Sequence, residues 1–156
     1  MSLANEVIEA VAAVGRRYHL DDFRLNHEQM ATLVLPDGLT LTVEYAAEPL
    51  GRVFLMGELD RIPEGAFEAV ATALLAINGR WLDTAGASFA MHPHSDRVIV
   101  LLPVPAAALD AQVLPDIVDD FLAKCRNWSD KINRGETDLS AREDIEAQID
   151  ALPVAG

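Results

Sequence analysis

One cysteine, Cys125, in 156 residues leaves nothing from which to build an internal disulfide framework and fits a reducing compartment. Basic residues are scarce too: 12 Lys and Arg stand against 25 Asp and Glu, a net charge of -13. Such a field repels phosphate backbones and anionic lipid, so nucleic acid and membrane surfaces are set aside as partners, while basic or amphipathic protein segments remain. No run approaches the ~18 apolar residues that a bilayer span needs. The opening MSLANEVIEAVAAVGRR puts its acids before its bases and lacks the basic region and cleavage site of an export signal. The expected location is the cytoplasm. Phosphate-binding glycine loops are missing as well, since neither GxGxxG nor GxxxxGKS/T occurs, and nucleotide binding has no support.

What the chain does hold is apolar surface. Hydrophobic residues make up 51% of it, enough for one domain with a real core. The segment Phe67 to Ile77, FEAVATALLAI, reads as a helix with almost no polar face. Glu64 and Glu68 sit in its first turn, where carboxylates complement the helix dipole, and beyond Ala69 only Thr72 is polar. A helix apolar all round must be buried all round. Two arrangements satisfy that: a monomer in which the flanking helices sandwich it, or a twofold interface in which two copies cover each other.

Around this helix the periodicities alternate. Val7, Ile8, Val11, Val14 and Tyr18 recur at helical spacing over residues 4 to 18, an amphipathic opening helix. Ala31 to Leu35 and Leu39 to Ala46 flank Pro36-Asp37-Gly38 and form a hairpin. A third strand over Arg52 to Leu59 sets Val53 and Leu55 on one face and the large apolar Phe54 and Met56 on the other. Arg97 to Leu102 is apolar on both faces in the same way, and Gly86 to Met91 precedes it as a hairpin partner. Strands of that kind are expected in a sheet covered on both sides. The last long helix, Asp110 to Ile132, carries one stripe from Val113 to Ile132 through Phe121, Cys125 and Trp128. Beyond Asn133 the composition turns acidic, with 6 acids against 2 bases over residues 134 to 156. Ser140, Ile145, Ile149 and Leu152 there suit a short frayed helix, and the segment reads as an appendage. The expected fold class is α+β, in the order α-β-β-β-α-β-β-α, with a twisted antiparallel sheet packed by helices. Residues 1–133 form the domain and 134–156 the extension.

Chemistry-bearing clusters are few. His92-Pro93-His94-Ser95-Asp96 holds imidazoles and a carboxylate that a divalent ion accepts, yet it occupies the tip between two strands, where Pro, Ser and Asp are ordinary turn residues. His19-Leu20-Asp21-Asp22 and His27-Glu28 lie in a polar loop with no nucleophile or oxyanion hole beside them. Cys125, among Phe121, Leu122 and Trp128, has nothing to stabilise a thiolate. Trp81 and Trp128 belong to or follow apolar helices, where packing, including packing across a subunit interface, is the common use. No catalytic residue, cofactor or metal site is assigned.

In this order of elements, the chain resembles the class I type III secretion chaperones of the Tir-chaperone-like family. The resemblance spans about residues 4 to 133 and is carried by the opening amphipathic helix, the strand LTLTVEY, the helix ending LLAINGRW, the hairpin from GASFAMHP to RVIVLLP, and the final helix with FLAKCRNW. The HPHSD turn and the acidic extension are not explained by it. The resemblance implies a homodimer that binds the non-globular N-terminal segment of a secreted effector, keeps it soluble and competent for the export apparatus, and catalyses nothing. Val70, Leu74, Ile77 and Trp81 become the dimer-interface candidates. Val7, Val11, Leu33, Leu35, Phe54 and Met56 become the partner-groove candidates. Two other readings stay open: a regulatory adaptor of the same fold, whose acidic tail competes for the site of a folded partner, and a small metal-dependent enzyme at His92, His94 and Asp96.

Overall fold

Ser2 opens the first helix, α1 (Leu3–Arg17), its hydroxyl accepting from the Asn5 amide at 3.3 Å. The computed structural model describes residues 2–151 and 153. After α1 come β1 (Met30–Val34), β2 (Thr40–Ala46), β3 (Arg52–Arg61), α2 (Phe67–Ile77), β4 (Ser88–Met91), β5 (Arg97–Pro105), α3 (Val113–Asn133) and α4 (Arg142–Asp150). The five strands form one antiparallel sheet in the order β1-β2-β3-β5-β4. Leu152 lies outside the described residues.

The turn between β1 and β2 behaves as its residues dictate: Gly38 takes φ +85°, and the Asp37 carboxylate accepts from the Leu39 amide at 3.2 Å. β5 runs three residues past the expected end, through Pro103 and Pro105. Strand β4 pairs only as far as Ser88 opposite Leu101, so beyond that point β5 has a neighbour on one side alone, where proline is tolerated.

One face of the sheet is closed. Leu41, Val43, Val53, Leu55, Leu59, Val98 and Val100 point into the core beneath α1 and α3. Helix α3 crosses β3 closely because Gly57 offers no side chain there. Its last turns meet β4 through Trp128, whose ring lies edge-on to Phe89 at 5.0 Å. The start of α3 is bound to the end of α1: Arg17 donates to Asp116 and Asp119, both at 2.7 Å, and Tyr18 Oη donates to Asp119 at 2.6 Å.

Residues past Asn133 do not hang free. Gly135, at φ +71°, ends α3 with its amide on the Ile132 carbonyl and the Glu136 amide on Lys131, a Schellman-type closure. A Cβ on Gly135 would stand 3.1 Å from that of Ala66, just before α2. Six residues later the Ala141 amide donates to the carbonyl of Asp83, just past α2, at 2.7 Å. The segment 135–141 is therefore tied at one end beside the start of α2 and at the other to the connection that follows α2, as a strap, with Leu139 and Ala141 buried in the common core. Helix α4 follows, with Ile145 packed against the core and Ile149 exposed.

Candidate functional site

Two apolar surfaces remain after the chain has covered itself. The first is the open face of the sheet. Thr42, Met56 and Leu101 lie in register across β2, β3 and β5, flanked by Phe54 opposite Pro103 and by Ile99 opposite Glu58. Phe54, Met56, Ile99 and Leu101 are all half-buried, and among the described residues no helix is packed over them. Thr32 and Thr42 share a hydrogen bond at 3.0 Å on the same side, which leaves the polar border toward β1. The sheet is thus covered on one face, with an apolar stripe down the middle of the other.

The second surface belongs to α2 and the connection that follows it. Val70, Leu74 and Ile77 turn inward, so Leu75 is left 76% exposed, Trp81 68% and Leu82 51%. Alongside lies a shallow groove of about 110 Å³ between α2 and β4, lined by Ala71, Leu74, Leu75, Asn78, Ala90 and Met91 among others. Asn78 closes part of the outer edge of β4 with both ends of its amide: Oδ1 accepts from the Phe89 amide at 2.7 Å and Nδ2 donates to the Phe89 carbonyl at 2.8 Å. A strand edge is occupied there by a side chain in place of a further strand.

Against this geometry the candidate residues divide. Phe54 and Met56 do face outward. Val7 and Val11 do not: both are fully buried, because the apolar stripe of α1 lies against its own core. Leu33 and Leu35 are also buried, since the period of two in β1 sends them to the helix-covered face with Leu41 and turns Thr32 and Val34 outward. These four residues have no free surface in this chain, and the apolar residues on the open face of the sheet are Phe54, Met56, Ile99 and Leu101. Among the dimer candidates, Trp81 is exposed, whereas Val70, Leu74 and Ile77 are spent on the subunit's own interior. Periodicity could not single out Leu75 as the outward residue of α2, because a helix with no polar face offers nothing by which to choose its outer side, and Leu82 lies in the turn beyond it.

The groups with chemistry are engaged structurally. Burial pushes the Cys125 thiol up to about 12, so no thiolate is available at neutral pH. In the HPHSD turn, His92 Nδ1 accepts from the His94 amide at 3.2 Å, and the two rings stand edge-on with centroids 6.1 Å apart. Among the described residues no three His, Cys, Asp or Glu side chains are grouped to hold a metal ion. A cleft of about 350 Å³ opens between the β1–β2 turn, β3, β5 and α3, and its charges answer one another: Arg126 bonds Asp37 at 2.7 Å, and Arg97 lies 3.6 Å from Glu58. The Arg126 guanidinium holds the Asp37 carboxyl below its usual range. Among the described residues no helix is long and apolar enough to cross a membrane.

The model of the Tir chaperone protein (CesT) family matches residues 9–129. The chain belongs to the Tir chaperone protein family. Solved structures of similar fold include the ExsC–ExsE complex, matched at 22% identity with a TM-score of 0.70 over 85% of this chain and 97% of the other. The HopA1–SchA chaperone–effector complex matches at 17% identity and a TM-score of 0.64, over 83% and 98% of the two chains. The heterodimeric ExoU–SpcU complex of the type III secretion system of Pseudomonas aeruginosa matches at 17% identity and a TM-score of 0.55, over 81% and 96%. At these identities the likenesses establish the fold. No curated protein sequence matches the chain. The family match ends at residue 129, so the strap and α4 of this family member lie beyond it.

Proposed function

We propose that this chain is a homodimeric type III secretion chaperone of the cytoplasm that holds the non-globular N-terminal segment of a secreted effector in an extended, soluble and export-competent form. Its work is binding, without a catalytic step. The observation that carries the reading is the stripe of half-buried Phe54, Met56, Ile99 and Leu101 on the open face of the sheet in a member of a chaperone family. Isolated exposed apolar residues need no explanation, but a contiguous row on an uncovered sheet face marks an interaction surface.

An extended segment laid on that stripe buries aliphatic anchors at roughly 25 cal/mol per Å² of apolar area, less the cost of ordering the segment. The net charge of -13 favours basic stretches in the client and keeps loaded dimers apart. Self-association uses the second surface, where Leu75, Trp81 and Leu82 stand out beside the α2–β4 groove. The HopA1–SchA complex is a chaperone–effector complex and the ExoU–SpcU complex a type III secretion assembly by their own description, which supports the same partner class for this chain.

Co-expression with a type III effector tests the reading. A segment of roughly 50 to 100 effector residues should co-purify and become protected from protease, as disordered segments that fold on binding do. Full digestion of that segment in the presence of the chaperone would count against it.

A further inference from the structure

Directly after the exposed Trp81 and Leu82 comes a carboxylate that is almost wholly buried. The Asp83 side chain accepts from Arg80 Nε at 2.7 Å and from Ser140 Oγ at 3.0 Å, and its carbonyl accepts the Ala141 amide at 2.7 Å. Arg142 Nε lies 3.9 Å from the same carboxylate. Within the connection, the Trp81 carbonyl accepts from the Gly86 amide at 2.9 Å and from the Thr84 hydroxyl at 3.3 Å. One residue upstream of Ser140, Leu139 is buried and its carbonyl accepts from the Trp128 indole at 2.9 Å. The strap thus ties α3 to the α2–β4 connection, with Leu139, Trp128 and Asp83 buried at the junction.

We propose that residues 136–141 act as a clasp that positions Trp81 and Leu82 for a second copy of this chain, so that the C-terminal extension is a positioning element of self-association. The inference rests on the self-association reading above and adds a segment that the family match does not reach. A large aromatic residue held out on a turn fixed from both sides meets its partner with little freedom left to lose, which is how preorganisation strengthens an interface. The second copy is the occupant that the charges favour. Phe67, Leu75, Trp81 and Leu82 are exposed along α2 and the connection after it, the exposed acids Glu64 and Glu68 are confined to the start of the helix, and Arg80 is paired with Asp83. Two chains of net charge -13 approach each other best where charge is thinnest.

Sedimentation equilibrium of the full-length chain tests this with Ser140→Ala, which removes the hydroxyl donated to Asp83, Ala141→Pro, which removes the amide donated to its carbonyl, and Ser140→Thr, which keeps the hydroxyl. The first two should raise the dimer dissociation constant about tenfold, as the loss of a hydrogen bond to a buried charged group does, with the far-ultraviolet circular dichroism unchanged; Ser140→Thr should dimerise like the wild type. Lower melting temperatures with an unaltered dissociation constant would overturn the clasp, and so would variants that do not fold, since the strap would then serve the fold alone. A wild-type chain that stays monomeric sinks the clasp and the dimer together. A wild-type dimer indifferent to the variants sinks only the clasp.

Discussion

Gly57 on β3 and Cys125 on α3 meet without room for one more carbon. A Cβ built on the glycine would stand 2.8 Å from the Cys125 sulphur and 3.5 Å from the ring of Phe121. The absent side chain lets α3 lie flat on the sheet and seals the covered face. Gly57→Ala should therefore destabilise the fold by about 1–3 kcal/mol, overpacking outweighing the usual gain from removing a strand glycine. In a Cys125→Ala background most of that cost should vanish. Urea denaturation of the double-mutant cycle checks it, and purely additive effects would place the two residues out of contact.

Alkaline pH should weaken the protein. Burial pushes the Cys125 thiol up to about 12, and burial together with the hydrogen bond to Asp119 pushes the Tyr18 phenol up to about 12. Both native values lie above the ordinary 9.0 and 10.0, so the unfolded chain releases protons that the native state keeps. Their stabilising share is complete below about pH 9 and is lost as pH rises toward 12. Urea midpoints measured from pH 8 to 11 should fall, and Cys125→Ala should flatten the slope. Asp37 acts at the other end: its lowered value makes stability fall as pH drops below the ordinary 3.8.

Leu139, though it lies in the acidic extension, should behave as a core residue. It is 1% exposed, and Leu139→Ala should cost about 2–5 kcal/mol, comparable to truncations elsewhere in a core. Trp128→Phe, which keeps the ring against Phe89 and removes the donor to the Leu139 carbonyl, should cost about 1–3 kcal/mol. Thermal unfolding distinguishes this from a solvated tail, for which Leu139→Ala would have no measurable effect.

Much of this was legible in the chain, and what was not has identifiable causes. Alternation in Leu39 to Tyr45 and the stripe from Val113 to Ile132 gave the elements and their order, because each has one wet side and one dry side. The period of two in β1 also placed Leu33 and Leu35 on one face, but which face the helices cover is a tertiary fact, and those side chains went inward. For FEAVATALLAI the same uniform apolarity that announced burial concealed that Leu75, not Leu74, points out. The strap was hidden by composition: one leucine in ETDLSAR carries the packing, while its acidic neighbours read as solvated. Its partner, Asp83, reads in the sequence as an ordinary loop acid, since nothing local reveals that Ser140 will arrive from 57 residues away.

That distinction on α2 makes a paired prediction. Leu75→Asp should leave the fold intact and yield a monomer, because the side chain is 76% exposed in the single chain and lies on the surface proposed for self-association. Leu74→Asp should unfold the subunit outright, since it places a charge in the interior. Light scattering and circular dichroism on both variants separate assembly from folding. The wild type should scatter as about 34 kDa, twice the 16.9 kDa chain.

The central claim is that the open face of the sheet holds an extended client. Its most direct measurement is co-purification of a type III effector's N-terminal segment with Met56→Asp, a variant altered in the middle of the stripe at a half-buried position. The account predicts that the variant remains a folded dimer and loses the client, while the wild type retains it stoichiometrically. A Met56→Asp dimer that holds the client as well as the wild type does would contradict it.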